Sequence, residues 1–582
     1  MTAFRASTGF CLALLLAVSG ADGQPVATGA PTPLGSAAPP DTAPDNAPTE
    51  FKPGILGKTA QPGVTTGELG IVDGPPVGIL DDSNGGLGQS MWTNASRPEV
   101  EDLLARLPLV SADPFVRGLA SRLVRTTSDA PVGPAKRALV TIRIEKLLQA
   151  GLIGEAATIA ASLQLGGDAD FARTQADALL YAGRKADVCG DLTATRLTAP
   201  EPFWLELRTW CFLAGGDAAS AELAHAALDA EAKDAAFDML ADDVLHGHKK
   251  MPAAIDHPTA LHIYLLLKAG LPVSNAIAAK LGTAANLLAA REAKNSPADR
   301  LSAAARISAT GALPPPEIQA LLNAQTYKPE QVAQAQAIVA KLTFLPAQAL
   351  LRRAATLESR PLQKADLLVA MLAPGGKTDR LPLTAALQGD IALAIKPDAA
   401  TARARFLIAR ALLLNGKADE AAAWYANAPA DMDHAAFAIL LDLAAPNPAR
   451  DGGAQSAYDW LAKNAAPQQN PAPIAALALG FPDVFGRPMP ANARALAGTF
   501  EGMRWPGTRP PADDIQKLVQ AAAQPGRKGE VLLRILDLIG PDGPADLPPD
   551  LAVECARILL QMGMPAEARA LAIETLALAR SP

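Results

Sequence analysis

Aromatic residues make up only 4% of this 582-residue chain, which also holds just 4 cysteines and 6 histidines. Charged residues are sparse at 19%, and Lys and Arg nowhere gather into a basic face. With a net charge of −7, the chain lacks the electrostatic footprint of a nucleic-acid binder, so no nucleic-acid partner is expected. Beyond the N-terminus no apolar run approaches the roughly 20 residues needed to span a bilayer. No membrane insertion of the mature chain is therefore expected. Runs of alternating β-branched residues are missing, which argues against sheet. The patterns Gly-x-Ser-x-Gly, His-Glu-x-x-His and Cys-x-x-Cys do not occur, and Asp and Glu are too scattered to single out an acid/base pair. No catalytic residue and no cofactor are assigned, and the chain is not expected to be an enzyme.

Alanine dominates a hydrophobic fraction of 49%. Alanine has the highest intrinsic helix propensity and lets helices approach closely, so the composition points to an all-α fold. The length exceeds what one core usually holds, which implies several domains or a repeat array.

Residues 1–23 read as a secretory signal peptide. Arg5 gives the positive start, Phe10 to Val18 a short apolar stretch, and Ser19, Gly20, Ala21 and Gly23 the small residues of a cleavage region. Cys11 lies inside the apolar stretch after Phe10, which is no lipoprotein site. The expected location is periplasmic or secreted. Residues 24–50 hold Pro, Ala, Thr and Asp with almost no large apolar side chain, the composition of a disordered linker. Residues 51–92 interleave Gly and Pro with aliphatics and predict an extended strap lying against the folded body.

Residues 93–582 read as helical throughout, possible halves meeting near 300–345. Ser96-Arg97-Pro98-Glu99 predicts a capping box, and Asp113-Pro114 a second helix start. The repeat is the most informative feature. Leu147-Leu148-Gln149-Ala150-Gly151 returns as Leu179-Leu180-Tyr181-Ala182-Gly183 and as Cys211-Phe212-Leu213-Ala214-Gly215. Related pieces end at Gly270, Gly416 and Gly563. Each glycine stands where a helix would end in a left-handed residue, and a second helix follows within a few positions. Hairpins of this period stack into an α-solenoid. The segment Leu412-Leu413-Leu414-Asn415-Gly416-Lys417-Ala418-Asp419-Glu420-Ala421-Ala422-Ala423-Trp424-Tyr425 resembles a tetratricopeptide-like repeat. The chain also looks like the long, Ala-rich exported proteins of Gram-negative bacteria. The resemblance implies a helical scaffold with a concave binding face and names no ligand.

Once Cys11 leaves with the signal, Cys189, Cys211 and Cys555 remain. Cys189 falls in the second helix of one hairpin and Cys211 in the first helix of the next, a placement that predicts a disulfide in an oxidising compartment. Cys555 reads as a small buried residue. His246, His248, His257 and His262 cluster near Asp242 and Asp243, and His246, His248 and His257 are the nearest approach to a metal set. Lys249 and Lys250 oppose a cation there, so a solvated turn and no metal are expected. Gly375-Gly376-Lys377-Thr378 lacks the first glycine of a phosphate loop, Met371 standing in its place, and reads as an ordinary turn. Trp204 and Trp210, with Phe203 and Phe212, read as core; Trp92, Trp424, Trp460 and Trp505 read as packing anchors.

These features favour a non-enzymatic scaffold or adaptor that binds envelope proteins. The alternatives are a peptidoglycan-acting envelope enzyme, which would need a globular catalytic domain, and a ligand- or surface-binding protein.

Overall fold

The computed structural model describes residues 73–579, apart from 164–167, 191–200, 229–233, 253, 377–379, 427–428, 446–453, 466–472, 501–502, 504 and 506–510. The chain divides into two units, Met1–Gly67 and Glu68–Pro582, and every described residue belongs to the second. The expected signal peptide and linker lie outside the described residues.

Among the described residues there are 29 α-helices and no strand, and the fold is all-α. Extended pairing is limited to isolated bridges joining Val77 to Ser128, Leu80 to Thr126 and Ser96 to Val132. Local chemistry sets the helix ends. Asp113 caps the helix Pro114–Arg125, its carboxylate accepting the Val116 N–H at 2.9 Å, with Pro114 at the first helical position. The capping box at Ser96 does not form. Ser96 makes no side-chain capping bond, and Glu99 instead forms an ion pair with Arg534, far along the chain. The third repeat also runs one residue longer than its sequence suggests. Gly215 stays helical, and Gly216 takes the left-handed conformation with φ 82°.

Neighbouring helices pair as hairpins. Leu139–Gln149 packs on Ile153–Ala161, Pro202–Gly215 on Ala218–Ala226, Arg405–Leu414 on Ala418–Tyr425, and Pro549–Gln561 on Pro565–Leu578. In an open solenoid each hairpin would touch only its neighbours. Here Arg97–Arg106 and Pro114–Arg125 pack on Lys528–Ile539, and Pro114–Arg125 also reaches Pro565–Leu578. Thr283–Arg291 likewise returns to Leu139–Gln149. The stack closes on itself because its terminal helices keep apolar faces that an open array would leave in water. Two cores result. One joins buried residues of 87–178 to those of 335–579; the other is built mainly from 153–322.

The first closure depends on the stretch that leads into the helices. Trp92 is 2% exposed, and its Nε1 donates to Ser128 Oγ at 3.0 Å. Its ring lies so close to Gly529 that a Cβ there would come within 2.5 Å of the indole. Only glycine fits, and its N–H donates to the Met91 carbonyl at 3.0 Å. Asn94 N–H donates to the Gly526 carbonyl at 3.0 Å, and Arg122 pairs with Glu567. Earlier in the chain, Asp73 accepts from the Arg97 guanidinium and from the Leu139 N–H. Arg143 is buried and donates to the carbonyls of Val77, Val124 and Thr126. Residues 73–95 are thereby fixed on the helical body.

Two carboxyls meet at this closure. Glu574, on the last described helix, accepts the Phe115 N–H at 3.2 Å beside the capping Asp113. Burial, then the neighbouring Asp113, pushes Glu574 from its ordinary 4.5 up to about 9, and burial raises Asp113 as well. Near neutral pH the pair therefore holds a proton. A raised folded-state value contributes stability that is fully present below the unfolded value and is lost as pH rises through the folded one. The urea midpoint of the protein should accordingly fall between about pH 4.5 and about pH 9 by more than that of Glu574→Gln. Equal slopes for the two proteins across this window would exclude a shared proton at the closure.

Candidate functional site

A cavity of about 500 Å³ with convergent polar groups lies between the helices Pro473–Val484, Ala491–Phe500, Ala512–Ala522 and Pro549–Gln561. Two of these helices approach closely at Gly480, where a Cβ would stand 2.8 Å from a Val553 methyl. Phe500, Trp505, Ile515 and Leu551 supply the apolar wall. The Phe500 and Trp505 rings sit 5.9 Å apart in a tilted pair. The Trp505 Nε1 is buried and has no hydrogen-bond partner among the described residues. An unmade bond of this kind carries a desolvation cost of about 1–3 kcal/mol unless a bound group accepts it. The polar lining consists of Asp483, Asp550, Glu554 and Arg557, with Arg557 and Glu554 joined in an ion pair. Among the described residues the lining carries three carboxylates and one guanidinium.

Trp505 is buried in the first core, as its sequence context suggests, and its ring also lines this cavity. Phe500, Glu554 and Arg557 carry no motif, because four helices separated along the chain bring them together. Trp92, Trp204, Trp210 and Trp424 are buried in the two cores, and Phe203 is buried with them.

The histidines separate. His262 is buried; its Nδ1 caps the helix start by accepting from the Thr259 N–H at 3.2 Å, and its Nε2 faces Asp234 at 3.3 Å. Burial lowers its pKa below the ordinary histidine value. His257 is exposed and stands apart, whereas His246 and His248 stack with ring centroids 5.8 Å apart. Gly375 forms a left-handed turn with φ 63°, while Lys377 and Thr378 lie outside the described residues. Burial pushes the Cys555 thiol up to about 12, so it remains an unreactive core group.

Cys189 and Cys211 are bonded, with their Cα atoms 5.5 Å apart. The link ties the short helix Lys185–Cys189 to the aromatic helix Pro202–Gly215, whose Phe203 ring also carries the Arg173 guanidinium 3.4 Å from its centroid. No helix among the described residues is long and apolar enough to cross a membrane.

Compared with protein-family models, curated proteins and solved structures, the chain matches none.

The disulfide closes a loop with a sequence separation of 22, for which chain entropy gives about 3 kcal/mol. The Cys189→Ser, Cys211→Ser double variant should lose stability of that order in urea unfolding. Non-reducing peptide mapping of the wild-type protein should recover the linked pair. Two free thiols in protein isolated from an oxidising compartment would refute the link.

Proposed function

We propose that the protein is a non-enzymatic interaction scaffold of the bacterial cell envelope, exported by its N-terminal signal and built from tetratricopeptide-like hairpins. The cavity at Trp505 carries the reading. Its aromatic wall and paired Arg557 have the chemistry of an interface anchor: a large apolar group beside a placed charge, with one donor still to be satisfied. The carboxylates of the lining favour a partner segment in which a lysine or arginine follows an aliphatic side chain. The aliphatic group would fill the space between Phe500 and Leu551, and its cation would meet the carboxylates. A backbone carbonyl of the same segment would accept the Trp505 N–H. The Cys189–Cys211 bond supports a location in an oxidising compartment.

In-cell crosslinking of the tagged mature protein, from a photoreactive residue placed at Ala497, should capture one dominant envelope protein. Trp505→Ala should weaken that interaction roughly 30-fold, equivalent to about 2 kcal/mol, when compared with wild type at a temperature where both remain folded, since emptying this buried position also lowers the melting temperature. Glu554→Gln should weaken it less, and the interaction should decline with salt. Capture that is the same for wild type and Trp505→Ala would refute the cavity as the binding site. Cleavage of purified peptidoglycan by the protein would refute the non-enzymatic reading.

A further inference from the structure

A second site lies at the end of the helix Ala235–His246, well outside the cavity's four helices. The chain turns there through Gly247, left-handed at φ 71°, and the turn carries His248 back over Asp242. The Nδ1 of His246 is 2.9 Å from Asp242 Oδ1, and the Nδ1 of His248 is 3.4 Å from Asp242 Oδ2. Ligand atoms of Asp242, Asp243 and His248 all lie within 4.8 Å of one another.

Asp243 makes this more than an exposed acidic turn. It is 1% exposed, and its Oδ2 accepts the Lys250 N–H at 2.7 Å. Its Oδ1 is buried without a hydrogen-bond partner among the described residues, and no ion pair there includes it. A buried carboxylate left in this state is costly unless a cation meets it. The Lys249 ammonium does not fill that role; it reaches to Gly270, 4.0 Å from where a Cβ would stand there.

We propose that Asp242, Asp243 and His248 bind a divalent first-row transition-metal ion, with zinc the best fit. Imidazole and carboxylate together match zinc, whereas calcium and magnesium take oxygen ligands. Ligand atoms about 2.1 Å from a tetrahedral ion lie roughly 3.4 Å apart. The set must therefore contract from its present spread, which the exposed His248 turn can do. The carbonyl end of the helix adds a partial negative charge toward the ion. His246, hydrogen-bonded to Asp242 and stacked on His248, orients both ligands as an outer partner. Burial of Asp243 but not of Asp242 depends on how the helix packs, which no local sequence pattern reports.

Calorimetric titration of chelator-treated, tag-free protein with zinc chloride should show saturation at one ion per chain. Asp243→Asn and His248→Ala should each weaken binding at least roughly 10-fold, and the exposed His257→Ala should leave it unchanged. His248 is on the surface, so its variant tests the site even if Asp243→Asn fails to fold. Cobalt should give visible absorption bands in the wild type that His248→Ala loses. An absence of saturable binding, wild-type affinity in His248→Ala, or equal competition by calcium would overturn the proposal.

Discussion

The packing of Trp92 on Gly529 is the contact on which the closed architecture depends. Gly529 is the second residue of the helix Lys528–Ile539. At Gly529 no other residue is possible, because any Cβ would enter the indole ring. The ring brings its own chain with it. Met91 accepts from Gly529, Asn94 donates to Gly526, and Trp92 itself donates to Ser128, so this stretch is fixed to the start of a helix more than 400 positions away. Glu99 then pairs with Arg534 and Arg122 with Glu567. These ion pairs are partly exposed and each adds little. They set the register of a contact whose stability comes from buried apolar area.

Closure explains the division into two cores. Buried residues of 87–178 and of 335–579 build one jointly, and those mainly of 153–322 build the other, with Thr283–Arg291 returning onto Leu139–Gln149. The cavity belongs to the first core. Its helices are fixed between Arg97–Arg106 and Pro114–Arg125 on one side, through Lys528–Ile539, and Met432–Ala444 on the other. The disulfide and the histidine turn both lie among the hairpins of the second. The cavity and the candidate ion site thus sit in separately packed regions of one chain.

How much of this was legible in the sequence depends on the range of the interaction. Helix class, hairpin ends and the cysteine pair rest on contacts within one or two hairpins, and glycine spacing and capping residues report those directly. The Ser96 box shows the limit. Its local pattern is complete, yet Glu99 is drawn away by Arg534, a residue no local pattern can foresee. Trp505 is a similar case: its sequence neighbourhood is that of any packing tryptophan, and its exposure to a cavity follows from where Pro549–Gln561 lands. The closure itself left no periodic signal, because a repeat reads the same whether its array is open or closed.

The buried Asp113 and Glu574 show what such closure costs and what it specifies. Two carboxyls at one contact would repel if both were ionised, and replacing them with apolar groups would give a more stable interface by ordinary accounting. They are held instead by specific donors: the Val116 N–H to Asp113 and the Phe115 N–H to Glu574, both at the start of one helix. The partial positive charge of a helix N-terminus suits that arrangement. A slip of the last helix by one residue would take Glu574 away from the Phe115 N–H and leave that donor unpaired. The pair therefore selects one register for the meeting of the chain's two ends, where Ala-rich helical faces alone would tolerate several.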